Sequence, residues 1–395
     1  MTYPTIASST AKIAEATIRD RLLEIDWDDR TQSRFHYVWL RDNCYCDVCH
    51  DPRTHQKMVR LVDIPQDISP LGLTFNEHEV TLQWDHPMHE STFDAQWLRA
   101  HCYSPSSRQA RKFRPLTWDC ESAKALAPID YRLVTQSEST ELEMLETVRD
   151  HGFVLLDHVP VETHETERLA RRFGYPRETN WGVILDVYAQ TDPVNIASTG
   201  APIAPHTDDS FRYGMPGIDM FHCMQADQRD GGESLLVDGF RVAEVLRREN
   251  PRAFDLLTTV RAPQFALDID TELRARAPVF TLDDEGDVAG VRYCECTQAP
   301  LDLPEDSVEP YYGALRAMAH LVQHEALVHR FRLSPGQTIV FDNQRILHGR
   351  TGFEGNRWLR SVFIDRDAYH SRLRVLGQRH RRTDFHLQLP VGAGL

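Results

Sequence analysis

The sequence predicts an α+β chain, mainly β, built in two parts: a small β-rich amino-terminal domain, then a larger domain mixing strands with helices. Three observations carry this. At 395 residues the chain exceeds one minimal core. Short strand-like runs and turns dominate residues 10–103, among them RLVDIP and HEVTLQWD. The stretch SPSSRQARK, 104–112, is polar, basic and turn-rich, and Pro115 and Pro128 fit an extended connection to residue 130. The expected division is a domain over 10–103, a linker over 104–130 and a second domain over 131–395. No internal repeat is evident.

In the second part, TELEMLETVRD puts Leu142, Leu145 and Val148 on one helical face, and Gly152 stands where a C-terminal cap belongs. FVLLDHV follows as a buried strand. Asp238 is placed to cap a helix through VAEVLRRE, and Asn250-Pro251 opens another by the N-cap and N1 preferences. A third helix is expected near 309–325, and VHRFRL, TIVFDN and WLRSVFIDRD then read as strands. This order allows either a decorated jelly roll or an α/β sheet, and periodicity does not choose between them.

Hydrophobic residues make up 41% and charged residues 26%, as in ordinary globular proteins. A net charge of -15 argues against nucleic acid and against an anionic membrane surface. No run approaches the roughly 20 apolar residues of a spanning helix, and the first residues lack the pattern of a signal peptide. A small-molecule partner and a cytoplasmic location with reduced thiols are the expectation.

His206 and Asp208, in APHTDDSFR, are one residue apart, so on a strand they would share a face. Two histidines and a carboxylate on one face of an octahedron form the facial triad of non-haem iron(II) oxygenases, with positions left open. His348, in FDNQRILHGRTGF, is the best second histidine. One His-x-Asp among 19 histidines is weak evidence by itself. A cationic anchor strengthens it, because 2-oxoglutarate chelates iron at its keto-acid end and presents a far carboxylate. Arg357 and Arg360 follow His348 at a distance suited to a return strand, and arginine meets carboxylate bidentately. Their alternative reading is two solvated surface charges.

Cys44, Cys46 and Cys49 are three thiols within six residues. That spacing favours a closed, structural Cys3His zinc site over unrelated buried thiols or a redox pair. For the fourth ligand His50, His55, His86, His89 and His101 are all within reach, His50 least so because adjacent ligands crowd the backbone. Cys294-x-Cys296 has no partner cluster and reads as ordinary thiols.

The stretches WLRDNCYCDVC, NIASTG with APHTD, GGESLLVDGF, and FDNQRILHGR resemble the gamma-butyrobetaine hydroxylase family, within the taurine dioxygenase-like group, over residues 20–378. The resemblance implies a double-stranded β-helix, or jelly roll, for the second domain, preceded by a small zinc-binding domain. It implies iron(II) at His206, Asp208 and His348, with 2-oxoglutarate and O2 as cosubstrates and hydroxylation of an aliphatic carbon. It gives 2-oxoglutarate to Arg357, with Asn195 nearby, Ser234 as a hydroxyl partner and Arg360 as second choice. It points to His89 as the fourth zinc ligand, and it implies a homodimer.

In that family an aromatic cage holds a trimethylammonium group by cation–π attraction. By position, Trp181 keeps one wall, Leu185 and Ser198 replace aromatic residues, Phe363 keeps a ring without its hydroxyl, and Glu295 lies where asparagines are frequent. The expected substrate is a small amine- or trimethylammonium-bearing acid, gamma-butyrobetaine of carnitine biosynthesis among them. A quaternary-amine phosphonate is the neighbouring reading. An inactive zinc-stabilised binding protein and a zinc hydrolase are the readings of other classes.

Overall fold

A computed structural model describes residues 11–85, 88–193, 195–226, 231–268 and 270–380. His86 and the end of the range 131–395 thus lie outside the described residues. The chain divides into two compact units, one built on residues through Phe113 and one on Arg114–Leu376. No described helix is long and apolar enough to cross a membrane.

The first unit is a repeat that the sequence reading missed. Strands Ile13–Ile18, Leu22–Trp27 and Gln32–His36 form one antiparallel meander, which runs into a helix at Tyr37–Asp42. Strands Pro70–Phe75, Glu79–Trp84 and His89–Asp94 form a second, which runs into a helix at Ala95–Ala100. Equivalent residues do equivalent work. The Trp27 indole donates to Ser33 Oγ at 2.8 Å and the Trp84 indole to Ser91 Oγ at 2.9 Å. Phe35 and Phe93, then Leu40 and Leu98, fill one shared core. Two meanders, each apolar on one face, bury those faces together. The repeat is hard to see in sequence because only WLR and a few core positions persist. RLVDIP, expected as a strand, is instead a 3-10 turn at Leu61–Asp63 with no buried residue. Leu61 and Val62 are exposed and only Ile64 is buried, so no alternating face drives pairing.

The stretch 104–112 is not extended. Pro105–Arg111 is a helix whose N-cap, Ser104, accepts from the Ser107 amide, with Pro105 at the first helical position. A second helix, Cys120–Lys124, starts from an Asp119 capping box. Serine and proline here mark a helix start, and the division between the two units falls between Phe113 and Arg114.

The second unit has mixed α and β content. Helices Glu138–His151, Gly239–Glu249, Pro251–Thr259 and Glu305–Val322 form where expected, with Gly152, Asp238 and Asn250 as caps. Gly152 has φ 80°, the left-handed conformation glycine adopts at little cost. One sheet has six strands, in the order Ile129–Asp130, Phe153–Asp157, Thr338–Asp342, Ile218–Gln225, Trp358–Ile364, Leu185–Val187. The other has four, in the order Ile203–His206, Ile346–Arg350, Ser234–Asp238, His329–Phe331. Every pairing is antiparallel except that of the first two strands of the larger sheet. Both sheets contribute to one cavity, described next.

Candidate functional site

His206 ends strand Ile203–His206, and His348 lies on strand Ile346–Arg350. The two are direct cross-strand partners, which brings residues far apart in sequence to a ring separation of 4.5 Å. Asp208 is not on the strand, as the one-residue spacing had suggested. It lies in the turn that follows, and Asn343 holds that turn: its Oδ1 accepts from the Asp208 amide at 2.7 Å while its Nδ2 donates to the Asp208 carbonyl. Asp208 Oδ1 then sits 3.2 Å from His206 Nε2, and Oδ2 sits 3.5 Å from His348 Nε2.

These separations suit one metal ion. Ligand atoms about 2.1 Å from an ion and at right angles lie roughly 3 Å apart. His206 Nδ1 donates to the Ala204 carbonyl at 3.0 Å, which leaves its Nε2 lone pair facing Asp208. His348 is wedged by the rings of Phe341 at 4.8 Å and Phe221 at 5.3 Å. The electrostatics ask for positive charge at this point. Burial lowers the affinity of His206 for a proton, yet the Asp208 carboxylate carries its pKa up to about 9. Burial raises Asp208, but the two imidazoles hold it well below the usual carboxylate range. Burial pushes His348 down to about 3. A divalent ion meets the same demand that draws a proton to His206.

The triad opens on a cavity of about 140 Å³. Arg357 lines it, is 9% exposed, and has its guanidinium 5.7 Å from the centroid of the Phe353 ring. Among the described residues no carboxylate or carbonyl engages that guanidinium. Burial lowers its pKa, so its charge is held there at a cost. Ser234 and Asn195 line the same cavity. Arg360 does not: its Nε donates to Asp186 at 2.9 Å and it also bonds the Thr163 carbonyl. Leu359, Ser361 and Phe363 of the strand Trp358–Ile364 face the cavity, so Arg360 between them faces the other way, while Arg357 lies just before the strand.

Of the residues matched to the cage, Trp181, Leu185 and Phe363 line the cavity. Ser198 is buried in the 3-10 turn Ile196–Ser198, whose other two residues line the cavity in its place. Glu295 is exposed and outside the lining, because it alternates with Cys294 and Cys296, which face in. Those two thiols were therefore underrated by the sequence reading.

Two further residues were missed. Arg350 donates to the carbonyls of Ile196, Ala197, Thr199 and Ala201, so it shapes the segment that carries Asn195. Asp219 is fully buried, accepts from Ser361 Oγ at 3.0 Å, and is pushed well above the usual range by burial and by Asp208. An acid flanked by Ile218, Met220 and Phe221 in a strand-like run was the available signal.

In the first unit, His89 Nε2 lies 3.3, 3.6 and 3.5 Å from the sulfurs of Cys44, Cys46 and Cys49. A tetrahedral zinc about 2.3 Å from sulfur and about 2.0 Å from nitrogen separates such atoms by roughly 3.5 Å. Among the described residues the rival histidines are engaged elsewhere: His50 with the Cys44 carbonyl, His55 with Tyr45 and His101 with the Trp97 carbonyl. Arg41 donates to Cys49 Sγ at 3.2 Å, which favours the thiolate. Burial pushes the Cys44 thiol up to about 12, a bias that a bound cation reverses.

A family model for taurine catabolism dioxygenase TauD, TfdA family, matches residues 112–363. The chain belongs to this family. A second model, gamma-butyrobetaine hydroxylase-like, N-terminal, matches residues 15–99 of this TauD/TfdA-family chain. The chain is 34% identical to gamma-butyrobetaine dioxygenase of Pseudomonas sp. (strain AK-1) over 382 residues, 95% of this chain and 98% of that one. It is 29% identical to trimethyllysine dioxygenase of Meyerozyma guilliermondii over 383 residues, 92% of this chain and 96% of that one. Among solved structures, an asparagine oxygenase in complex with Fe(II), hydroxyasparagine and succinate is 22% identical, with a TM-score of 0.48 over 58% of this chain and 79% of that one. This TauD/TfdA-family member is an Fe(II)- and 2-oxoglutarate-dependent dioxygenase.

Proposed function

We propose that this dioxygenase hydroxylates an aliphatic carbon of a small amine- or trimethylammonium-bearing acid. His206, Asp208 and His348 hold the iron, Arg357 with Ser234 and Asn195 holds 2-oxoglutarate, and Trp181 and Phe363 face the substrate. One observation carries the reading: three converging potential ligands share a cavity with a buried guanidinium that no described protein acceptor engages. Three ligands leave coordination positions for cosubstrate, and the guanidinium awaits a carboxylate.

Iron with 2-oxoglutarate and oxygen supplies the oxidising chemistry, with carbon dioxide and succinate as by-products. The chain's own residues do the rest. Asn343 and the Ala204 carbonyl orient Asp208 and His206, and the Phe221 and Phe341 rings keep water from His348. Arg357 fixes the far end of a dicarboxylate, so that its keto-acid end meets the metal. Trp181 offers an aromatic face to a cationic head. With Leu185 in place of a ring, the pocket is less aromatic than a full cage, which favours a substrate other than gamma-butyrobetaine, although relatives carry that name and that of trimethyllysine.

Two largely antiparallel sheets contributing to one cavity support a double-stranded β-helix for the second unit. Cys44, Cys46, Cys49 and His89 are proposed to hold one structural zinc, since four protein ligands close the site. Such thiolates and a net charge of -15 fit a reducing compartment such as the cytoplasm, and a small-molecule substrate rather than nucleic acid or a bilayer surface. The test is succinate release from 2-oxoglutarate with iron(II), across betaines, amino acids and aminophosphonates. Stimulation by an amine-bearing acid is expected. Hydrolysis without consumption of 2-oxoglutarate would give the site to a zinc hydrolase instead.

A further inference from the structure

Cys294 and Cys296 are the nucleophilic groups of the cavity that the reaction leaves unused. Their sulfurs lie 3.0 Å apart, and both line the cavity with His206 and Asp208. The backbone turns between them: Cys294 is extended, at φ -153° and ψ 112°, and leads into the 3-10 turn Glu295–Thr297. That turn brings two side chains separated by one residue onto one side. Cys296 is exposed and Cys294 is 4% exposed.

This segment is tied to the metal-ligand segment at both ends. On one side, the Thr207 amide donates to the Tyr293 carbonyl at 2.7 Å, and the Tyr293 amide donates to Thr207 Oγ1 at 3.0 Å. Thr207 is the residue between His206 and Asp208. On the other side, Thr297 Oγ1 donates to Gln264 Oε1 at 2.6 Å and lies 2.9 Å from Ser210 Oγ. A change of shape over 294–296 therefore has two rigid routes into the segment that carries two of the three ligands.

We propose that Cys294 and Cys296 form a reversible oxidation site, a disulfide closed by peroxide and reopened by thiols, and that its closure deforms the neighbouring metal centre. The exposed Cys296 meets the oxidant first. Its sulfur attacks one oxygen of hydrogen peroxide, the O–O bond breaks, a sulfenic acid forms and one water leaves. The Cys294 sulfur then displaces the sulfenic oxygen as a second water, and the S–S bond forms. Two electrons pass from the two sulfurs to the peroxide, and both thiol protons leave in the waters. Bond formation needs the sulfurs about 1 Å closer, since an S–S bond is about 2.05 Å long. Closing so short a loop strains it, and strained disulfides are the labile, readily reduced kind. The strain falls on a segment pinned at Thr207 and Ser210.

The experiment uses the reduced full-length protein with no iron added. The protein is exposed to hydrogen peroxide, its remaining thiols are alkylated, and it is digested with trypsin. Residues 293–316 form one fragment holding both cysteines and no other. The expected product is that fragment unalkylated and two hydrogens lighter than the dithiol, restored by dithiothreitol. In Cys294→Ser, Cys296 should persist as a sulfenic acid that dimedone traps. Manganese(II), a probe that does not report turnover, should bind the oxidised protein at least several-fold more weakly and recover on reduction. If both cysteines take up label after peroxide, or pair with other cysteines, the site is overturned. A disulfide that leaves manganese binding unchanged overturns its link to the metal centre.

Discussion

Arg357→Ala separates the two arginines that follow the distal histidine. In the folded protein the Arg357 guanidinium is buried against Phe353 with no described acceptor, whereas Arg360 is spent on Asp186 and the Thr163 carbonyl. A carboxylate that reaches Arg357 leaves water to form a charge-assisted pair. Losing that pair costs about 2–3 kcal/mol. At about 1.4 kcal/mol per decade, 2-oxoglutarate should bind roughly 30- to 140-fold more weakly. The substrate's own Michaelis constant should change much less. Stability should not fall, because the substitution also removes a buried charge without an internal partner. Arg360→Ala should do the reverse: it leaves 2-oxoglutarate binding near wild type and costs at most about 1 kcal/mol of stability, since Asp186 is 39% exposed. The assays are 2-oxoglutarate dependence of succinate release and direct binding to the manganese-loaded protein. Equal cosubstrate affinity in Arg357→Ala and wild type, or a larger loss in Arg360→Ala, would refute the assignment.

Four other outcomes follow from the same geometry. His206→Ala and Asp208→Ala should each reduce succinate release to background while leaving the fold intact by circular dichroism; an active variant would sink the iron site. Elemental analysis should find one zinc per chain, and Cys46→Ser should lose that zinc and lower the melting temperature, because metal binding and folding are coupled in small thiolate modules. His222 is buried, with Nδ1 2.9 Å from Thr166 Oγ1, and burial followed by the Arg360 charge pushes it down to about 4. The unfolded chain takes up this proton near pH 6.5 and the folded chain only near 4. Stability should therefore fall as pH drops across that window, by at most about 3 kcal/mol from this group, and the fall should be shallower in His222→Gln. Trp181→Leu should raise the Michaelis constant of a cationic substrate by roughly 2- to 30-fold and spare a neutral isostere of the same shape; equal losses for both would make Trp181 a shape element only.

Local rules read well from this sequence where one residue does one local job. Asp238, Asn250 and Gly152 cap the helices they were expected to cap, because a cap is decided within a few residues. Apolar runs such as TIVFD and WLRSVFI became strands because burial on both faces needs no partner to be named in advance. What failed was decided by tertiary neighbours. RLVDIP buries only Ile64, which leaves no alternating face to pair.

The site shows the same division more sharply. His206, Asp208 and His348 could be chosen by residue type, but not for the right geometric reason. Convergence comes from a cross-strand register between His206 and His348, and from Asn343 clamping a turn, rather than from strand periodicity over two residues. Periodicity does turn Arg360 away, because it alternates with Leu359 and Ser361, which face the cavity, whereas Arg357 reaches the cavity from just before the strand. Glu295 sits in a 3-10 turn that sends Cys294, Cys296 and Thr297 to the cavity and leaves its own side chain outside. Residues that bond main-chain atoms, such as Arg350 and Asn343, leave no trace in residue spacing, since their partners are carbonyls and amides that every residue has. The shape of the cavity therefore rests largely on groups that a sequence motif cannot name.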